Sequence, residues 1–371
     1  MSAVQEDWIS EVRGQIRTSQ TNFFRVKPAR FWFDFSYSVA IAYTAASIYL
    51  TSELLLWPRL IAFPIAVFWL YRLGSLVHEV AHLPRGEMRT FKVVWNLVVG
   101  VITLTPSPFY TKHHRDHHSQ HIYGMPQDPE YVTNMVRRGS WSSLLAYSLF
   151  VLAFPILVFL RFLLSPLTFL HPRLREFVLT RASSLTFNWH YERKVGTFDR
   201  RVITAIELLC CLRAALIPGV VLAGFAPWTR VPLLYSLGVS VLILNQLRQV
   251  ADHHFSGGGN RFSFADHILD SCNYKANDPL TWLFFPFAIQ YHALHHIFPT
   301  LPYHNLAAAD AYLLAKLPAD SPYRTLDQPS WWSVARTMFS EQAQPTATDK
   351  AEVGARHFAH RDATKSAARR T

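Results

Sequence analysis

The chain has 371 residues, of which 50% are hydrophobic, 14% aromatic and only 16% charged. Soluble globular proteins average about 25% charged residues, so this composition disfavours a large soluble enzyme and indicates a membrane protein. The formal net charge of +11 suits a surface that faces anionic lipid headgroups. No basic and aromatic pattern of a nucleic-acid-binding module accompanies it, so no nucleic-acid partner is predicted.

Four apolar runs are long enough, or nearly long enough, for the ~20 residues that cross a hydrocarbon core. They are Asp34–Leu50, Leu60–Val77, Val202–Phe225 and Val231–Leu247. A further stretch, Phe91–Thr105, is too short to span comfortably. Ser143–Leu170 is longer but contains Pro155 and Pro166, which would break or kink a helix. We expect these last two stretches to enter the membrane without crossing it or to lie at its interface.

The distribution of charge predicts the topology. Basic residues crowd the N-terminal segment and the connection that precedes the third apolar run, whereas Thr51–Pro58 and Ala226–Arg230 carry almost no charge. Because positive charge favours the cytoplasmic side, the sequence predicts four transmembrane helices in two hairpins. Every histidine-rich segment then falls on the cytoplasmic face. The predicted fold is an all-α membrane protein with a cytoplasmic helical cap.

The sequence predicts four consecutive regions. Residues 1–33 form a cytoplasmic N-terminal segment without the apolar core of a cleavable signal peptide, and residues 34–315 form a membrane-embedded catalytic domain. Residues 316–340 form a peripheral C-terminal segment. Residues 341–371, rich in Ala, Thr and Arg without periodicity, form a disordered tail. The three cysteines support neither a disulfide framework nor a cysteine-rich metal site.

Eight of the 18 histidines form three short motifs. The first is H-E-V-A-H, with His78 and His82, and the other two are copies of H-x-x-H-H that begin at His114 and His292. One H-x-x-H-H is expected by chance about 0.04 times at this histidine content, so two copies indicate a functional site. Since positions i, i+3 and i+4 share one face of a helix, each copy is predicted to aim three imidazoles at one point.

The number of histidines bears on the kind of metal site. Imidazole suits iron, zinc, copper and nickel, so ligand type alone does not choose the metal. Eight or more imidazoles exceed the needs of one tetrahedral zinc ion and fit two metal ions that each keep an open position. A zinc protease would need only His78, His82 and one further ligand, with Glu79 activating water. It would leave both H-x-x-H-H motifs unexplained.

A ninth candidate ligand follows the last apolar run. His253 lies where a transmembrane helix would emerge beside a cytoplasmic site, and His254 is the competing choice. Gln249 is one turn before His253 and would either hold a metal-bound water or end the helix with a hydrogen bond.

Carboxylates usually accept a hydrogen bond from the free N–H of a ligating histidine, and we expect this role of Glu79. Other acids are candidates for the same role or are plain surface charges, namely Asp116, Asp128, Asp252 and Asp270. His113 lies about 100° around the helix from His114, so only one of the two is expected to bind metal, and the spacing favours His114. His121 lies one turn beyond the second motif and is a candidate for an outer contact.

The order H-x-x-x-H, H-x-x-H-H, H-x-x-H-H between membrane hairpins resembles the integral-membrane fatty-acid desaturase and hydroxylase family. The phrase YHALHHIFPTLPYHNL is similar to the third histidine box of its bacterial and lipid-acting members. DPEY (Asp128–Tyr131) and LDS (Leu269–Ser271) fit the same subgroup. The resemblance covers most of the predicted catalytic domain. It implies a non-haem di-iron enzyme that uses dioxygen and two external electrons on a lipid acyl chain.

Carried over residue by residue, the resemblance implies nine ligands for two non-haem iron ions: His78, His82, His114, His117, His118, His253, His292, His295 and His296. The family's stearoyl-type branch holds a water through an Asn one turn before its isolated histidine, where this chain has Gln249. No His-Pro-Gly-Gly haem-binding motif of a fused cytochrome b5 domain is present. The electrons are therefore expected from a separate ferredoxin or cytochrome b5 with its reductase. The resemblance to bacterial members predicts a bacterial cytoplasmic membrane as the location.

We therefore predict a dioxygen-dependent acyl-lipid desaturase that inserts a double bond into an acyl chain. Loss of a second hydrogen gives a double bond, whereas return of oxygen gives an alcohol, so a lipid hydroxylase with the same site is the close alternative. A membrane zinc protease that uses HEVAH is the remote alternative. The sequence leaves open the acyl chain length, the carbon attacked and the head group.

Overall fold

The computed structural model of the chain describes residues 4–51, 55–257, 261–275 and 278–339. The disordered tail predicted at 341–371 lies outside these residues. The described helices in chain order are α1 (Val4–Thr18), α2 (Pro28–Leu50), α3 (Leu56–His82), α4 (Arg89–Trp95), α5 (Ser107–His117), α6 (Trp141–Leu163), α7 (Pro172–Arg181), α8 (Thr197–Leu222), α9 (Arg230–Gln249), α10 (Phe264–Asp270), α11 (Pro279–Phe284), α12 (His292–Ile297), α13 (Tyr303–Lys316) and α14 (Trp331–Ala335). Two-residue strands β1 (Asn273–Tyr274) and β2 (Asp327–Gln328) pair in parallel.

Four helices in the described part of the chain are long and apolar enough to cross a membrane: α3, α6, α8 and α9. This confirms the prediction of an all-α membrane protein. Three of the predicted spans coincide with α3, α8 and α9, but the fourth candidate is α6 and not α2. Helix α2 has 23 residues, and the face that it buries carries the polar side chains of Asp34 and Ser38. Helix α2 is not among the candidate spans of the described residues.

Helix α6 covers most of Ser143–Leu170, the stretch that was predicted not to cross the membrane. Pro155 lies inside the helix without breaking it, and the helix ends before Pro166. Length and composition alone would allow α6 to cross. Its contacts with α8 show how far it extends.

At the end of α6, the carbonyl of Leu163 accepts a hydrogen bond from the Cys211 thiol at 3.7 Å. Cys211 is 14 residues into α8, which corresponds to about 21 Å along its axis. The chain then returns through α7, and the carbonyl of Thr180 accepts from the amide of Arg193 at 2.9 Å, close to the start of α8. Helices α6 and α7 therefore extend part of the way along α8 and turn back. This path agrees with a segment that enters without crossing.

A buried ion triad joins these three helices. Glu207 of α8 is fully buried, and its carboxylate oxygens lie 2.5 Å from Arg161 of α6 and 2.7 Å from Arg175 of α7. A buried carboxylate is costly without such partners. The triad therefore fixes where α6 and α7 pack on α8.

The segment between α4 and α5 also turns back on itself. Helix α4 continues as a π-helical turn, Asn96–Gly100. The Asn96 side chain then bonds Ser107 at the start of α5, through its amide group at 2.9 Å and its carbonyl oxygen at 2.8 Å. A Cβ on Gly100 would lie 2.7 Å from the Cα of Pro106, so only glycine permits this approach. The turn sets the position of α5, which carries the second histidine motif.

Both ends of the described chain pack into the core. Helix α1 buries Trp8 and Val12 in the same hydrophobic cluster as residues of α10 and α13. The C-terminal segment, predicted to be peripheral, contributes β2 to the strand pair. Its Trp331 ring nitrogen donates to the carbonyl of Leu247 at 2.8 Å, and Val334 is buried. As far as residue 339, this segment is thus part of the folded domain.

Candidate metal centre

Four elements carry the nine predicted ligands to one region. Helix α3 ends with His78 and His82, so the same helix that is apolar enough to cross a membrane also supplies the first motif. Helix α5 and its C-terminal cap carry the second motif, and α12 carries the third. His253 lies four residues beyond the end of α9. It is held by an isolated antiparallel bridge to Ser271.

The nine histidines form two groups in which the potential ligand atoms lie within 4.8 Å of one another. Cluster 1 contains five of them: His78, His82, His114, His118 and His295. Cluster 2 contains the other four: His117, His253, His292 and His296. The two clusters are adjacent, since the rings of His118 and His296 stack with centroids 4.1 Å apart. Two groups of this size could hold two metal ions.

The prediction that each H-x-x-H-H motif aims its three imidazoles at one point was wrong. In the second motif, His114 and His118 belong to cluster 1 and His117 belongs to cluster 2. The third motif has the opposite arrangement, and its middle histidine, His295, joins cluster 1. The reason is angular, because i+4 lies about 40° to one side of position i on a helix and i+3 lies about 60° to the other.

The nitrogen separations fit metal coordination. Five pairs of Nε2 atoms within the clusters lie 3.0 to 3.3 Å apart. Two imidazoles on one metal ion, with bonds of about 2.1 Å and angles between 90° and 109°, would place their nitrogens about 3.0 to 3.4 Å apart. The Nε2 atom of His78 is buried and has no hydrogen-bond partner among the described residues. The donor set therefore suits two metal ions bound through Nε2.

Carboxylates face the opposite nitrogens of several ligands. Nδ1 of His114 lies 2.8 Å from Glu130, and Nδ1 of His117 lies 2.9 Å from Asp128. Glu79 lies 3.3 Å from Nδ1 of His78, and its second oxygen accepts from the backbone amide of Tyr303. Such acceptors orient a ligating imidazole and favour the tautomer with a free Nε2.

Cluster 2 has a different set of outer contacts. The Tyr123 hydroxyl donates to Asp270 at 2.7 Å and lies 2.8 Å from Nδ1 of His253. Asp270 therefore supports His253 through a tyrosine and not directly. Nδ1 of His296 lies 2.7 Å from Nε2 of His267, whose ring stacks on Tyr123 with centroids 3.6 Å apart.

The other predicted residues lie further from the clusters. His113 is buried, but it belongs to neither cluster, and its Nδ1 faces the carbonyl of Phe109. His121 is at the surface beside Arg261. Gln249 is half-buried, and its backbone carbonyl accepts a hydrogen bond from the amide of Asp252. His254 lies outside both clusters.

Two of the predicted acids are occupied elsewhere. Asp116 accepts from the Tyr191 hydroxyl at 2.8 Å and pairs with Lys112. Asp252 pairs with Arg248 at 2.7 Å. Among the described contacts, neither carboxylate bonds a histidine of the clusters.

Burial keeps most of the imidazoles in the neutral form that binds metal. It lowers the pKa of several ligands well below the ordinary range, namely His114, His118, His253, His292, His295 and His296. Burial would also lower the pKa of His117, but the carboxylate of Asp128 outweighs it and raises that pKa. Burial raises the pKa of Glu130 to about 7.

Sequence reasoning missed three residues next to the ligands. Glu130 stands inside the DPEY phrase, so its position beside Asp128 was a usable signal. His267 and Tyr123 stand outside every motif, and only folding brings them beside the second cluster. A lone histidine or tyrosine in a sequence carries no such signal.

An all-α membrane fold that gathers nine histidines into two adjacent clusters defines a class of membrane enzyme that could bind a pair of metals. The chain belongs to the fatty acid desaturase family, whose pattern it matches over residues 54–327. It is also 34% identical over 325 residues to a ceramide hydroxylase of Caulobacter vibrioides (strain NA1000 / CB15N). The aligned region covers 86% of this chain and 90% of that protein. A search of the solved structures found no significant match. The chain is therefore an oxidoreductase that acts on lipids.

Proposed function

We propose that this enzyme holds two iron ions, one in each histidine cluster, and uses dioxygen to oxidise a C–H bond of a lipid chain. The arrangement of nine histidines in two adjacent clusters supports this proposal most strongly. When bound, such an iron pair would supply the oxidising power for an unactivated C–H bond, at the expense of dioxygen and two external electrons.

The residues of the chain would prepare the site for this chemistry. Glu79, Glu130 and Asp128 accept hydrogen bonds from the Nδ1 side of their histidines, which directs Nε2 toward the metal positions. The ligands are mostly buried, and water is thereby excluded. Since Glu79 faces His78 and Tyr303, it is already engaged and is not poised to activate water as in a zinc protease.

We propose hydroxylation of a ceramide-type lipid as the reaction. The proposal of this reaction rests on the similarity to the Caulobacter ceramide hydroxylase, which extends over most of the length of both proteins. Desaturation of an acyl chain, which the sequence favoured, is the second candidate, because the family is described as fatty acid desaturases. Both reactions begin with the loss of one hydrogen atom from the substrate. In hydroxylation the same carbon then gains a hydroxyl group, whereas in desaturation the substrate loses a second hydrogen atom.

We further propose that the clusters face the cytoplasm and that a ferredoxin or cytochrome b5 with its reductase delivers the electrons there. Basic residues near the start of α8 would attract such an acidic carrier. Lys194, Arg200 and Arg201 are available for this role, although Arg200 also pairs with Glu176. Arg193 is buried and donates to the carbonyls of Ser183 and Pro108, so it serves the fold.

The reaction is tested by lipid mass spectrometry on cells that express the protein and contain both ceramides and fatty acids. A ceramide that gains one oxygen would support hydroxylation, and a lipid that loses two hydrogens would support desaturation. The His117→Ala and His295→Ala variants should form neither product while remaining in the membrane. Metal analysis of the purified protein should give close to two irons per chain, and one zinc without iron would overturn the iron proposal.

A further inference from the structure

A second polar feature lies on α3, on the membrane side of the clusters. Arg72 precedes His78 by six residues, which is about 9 Å along the helix axis. An arginine inside an apolar helix is costly and usually marks a functional contact. Arg72 borders a cavity of about 670 Å³ between α3 and the segment from Asp278 to Gln290. This volume is typical of small-molecule sites.

The guanidinium of Arg72 is incompletely paired. It donates to the Tyr37 hydroxyl at 2.7 Å, and its distance to Asp34 is 3.7 Å. Asp34 instead pairs with Arg30 at 2.9 Å and accepts from Tyr303 at 2.6 Å. The Nε atom of Arg72 is buried and has no hydrogen-bond partner among the described residues. That atom is closed to solvent, but both described polar contacts of Arg72 use Nη2, so Nη1 retains donor capacity toward the cavity.

The backbone opposite Arg72 is strained in a way that shapes the cavity wall. Phe287 and Ala288 both have left-handed backbone conformations, with φ of 56° and 58°. A bulky residue rarely adopts this conformation, and such strain often accompanies ligand sites. It places the ring of Phe287 over the Arg72 guanidinium, with 4.0 Å from its carbon to the ring centroid. The strained turn thus helps to fix the arginine at the cavity.

The described lining carries one cation, Arg72, and one anion, Asp278, together with the amide of Gln290 and apolar aromatic walls. The Asp278 carboxylate accepts from two backbone amides of α11, but its oxygens have further lone pairs. Because these charges cancel, an anionic phosphate would meet a carboxylate as well as an arginine. An uncharged head with both donors and acceptors finds a partner for each.

We infer that this cavity binds the amide and hydroxyl head of a neutral membrane lipid, with Arg72 donating to its oxygen atoms. The inference rests on the proposed action on a ceramide-type lipid and names where the head of that substrate is held. The aromatic walls, including the largely exposed Trp282, would contact the first carbons of its chains. The site lies close enough to the clusters along α3 for one bound molecule to reach both.

Photo-crosslinking tests this inference without turnover. The purified protein in lipid nanodiscs is exposed to a ceramide analogue with a diazirine close to its head, and labelled peptides are mapped by mass spectrometry. Labelling should fall on the segments around Arg72 and Trp282, and unlabelled ceramide should compete better than phosphatidylglycerol. Preferential competition by phosphatidylglycerol, or labelling spread evenly over the apolar helices, would overturn the inference.

Variants make the test specific. Arg72→Met should reduce specific labelling about tenfold, the effect of losing one hydrogen bond from a charged donor, and Arg72→Lys should restore part of it. Trp282→Ala, at an exposed position where misfolding is not a concern, should reduce labelling about threefold. Arg213→Met is the matched control, because Arg213 is a half-buried arginine of α8 that does not line the cavity. Equal losses in Arg72→Met and Arg213→Met would overturn the inference.

Turnover measured in parallel separates this inference from the proposed function. If the wild-type enzyme hydroxylates ceramide and Arg72→Met does so with an unchanged KM, the head site is wrong and the function stands. If ceramide labels the cavity but is never oxidised, the head site stands and the proposed reaction is wrong.

Discussion

His267 offers a direct test of the second cluster, because it touches a proposed ligand without being one. It is fully buried, and its Nε2 lies 2.7 Å from Nδ1 of His296. If His296 binds metal through Nε2, its Nδ1 carries the proton and His267 accepts it. His267→Phe would keep a ring that can stack on Tyr123 but would remove this acceptor.

The expected loss of metal affinity in His267→Phe follows from the hydrogen bond that is lost. A buried donor left without its acceptor costs about 1–3 kcal/mol, and loss of an outer partner of a metal ligand typically lowers metal affinity about 10- to 100-fold. These two ranges agree, since tenfold corresponds to about 1.4 kcal/mol. We therefore expect His267→Phe to bind one iron normally and the other about 10- to 100-fold more weakly. His267→Gln, which offers an acceptor again, should recover part of the affinity.

The assay is an anaerobic titration of metal-free protein with ferrous iron in competition with a coloured chelator. His304→Phe is the matched control, since His304 is a half-buried histidine whose ring contacts Phe31 and belongs to neither cluster. Wild-type affinity for both irons in His267→Phe would refute the reasoning. An equal loss in His304→Phe would show that the effect is a general one on folding.

Further predictions concern the ligands, topology, pH and electron supply. His114→Ala should abolish product, whereas His113→Ala should be milder because His113 lies outside both clusters; equal loss at both would contradict the assignment. A cysteine introduced at Arg181 should be labelled only from the cytoplasmic side, and labelling from outside would mean that α6 crosses the membrane. Because burial lowers the pKa of His118 and His295, their unfolded forms bind more protons at low pH. The metal-free protein should therefore lose stability as the pH falls below about 6.5, seen as a lower Tm at pH 5.5 than at 7.5, and an unchanged Tm would argue against it. Purified enzyme with NAD(P)H alone should be inactive until a ferredoxin or cytochrome b5 with its reductase is added; full activity without a carrier would contradict the dependence.

Much of this architecture could be predicted because its signals are local. A run of apolar residues identifies a membrane helix without reference to the rest of the chain, as for α3, α8 and α9. The histidine motifs are also local, since their spacing follows from the helical repeat. The family match and the two clusters agree with the prediction that these histidines form one site.

The features that were missed depend on long-range contacts. Tyr123 and His267 are 144 positions apart in sequence, and only folding brings them together beside one cluster. Nothing in its local sequence marks Arg72, because its contacts with Tyr37 and Phe287 come from other parts of the chain. For helix α6, length and composition alone would allow a crossing, and only its contact with the middle of α8 shows where it ends.

The division of the histidine motifs between clusters explains why the chain uses H-x-x-H-H twice. Each motif gives its i and i+4 histidines to one cluster and its i+3 histidine to the other, and the two motifs do so in opposite senses. His117 and His295 therefore each belong to the cluster opposite to that of their two neighbours in the motif. A single helix with only i and i+4 ligands, like the end of α3, can serve one cluster alone. These two histidines tie α5 and α12 to both clusters, so the spacing of the clusters is set by helix geometry and not by flexible loops.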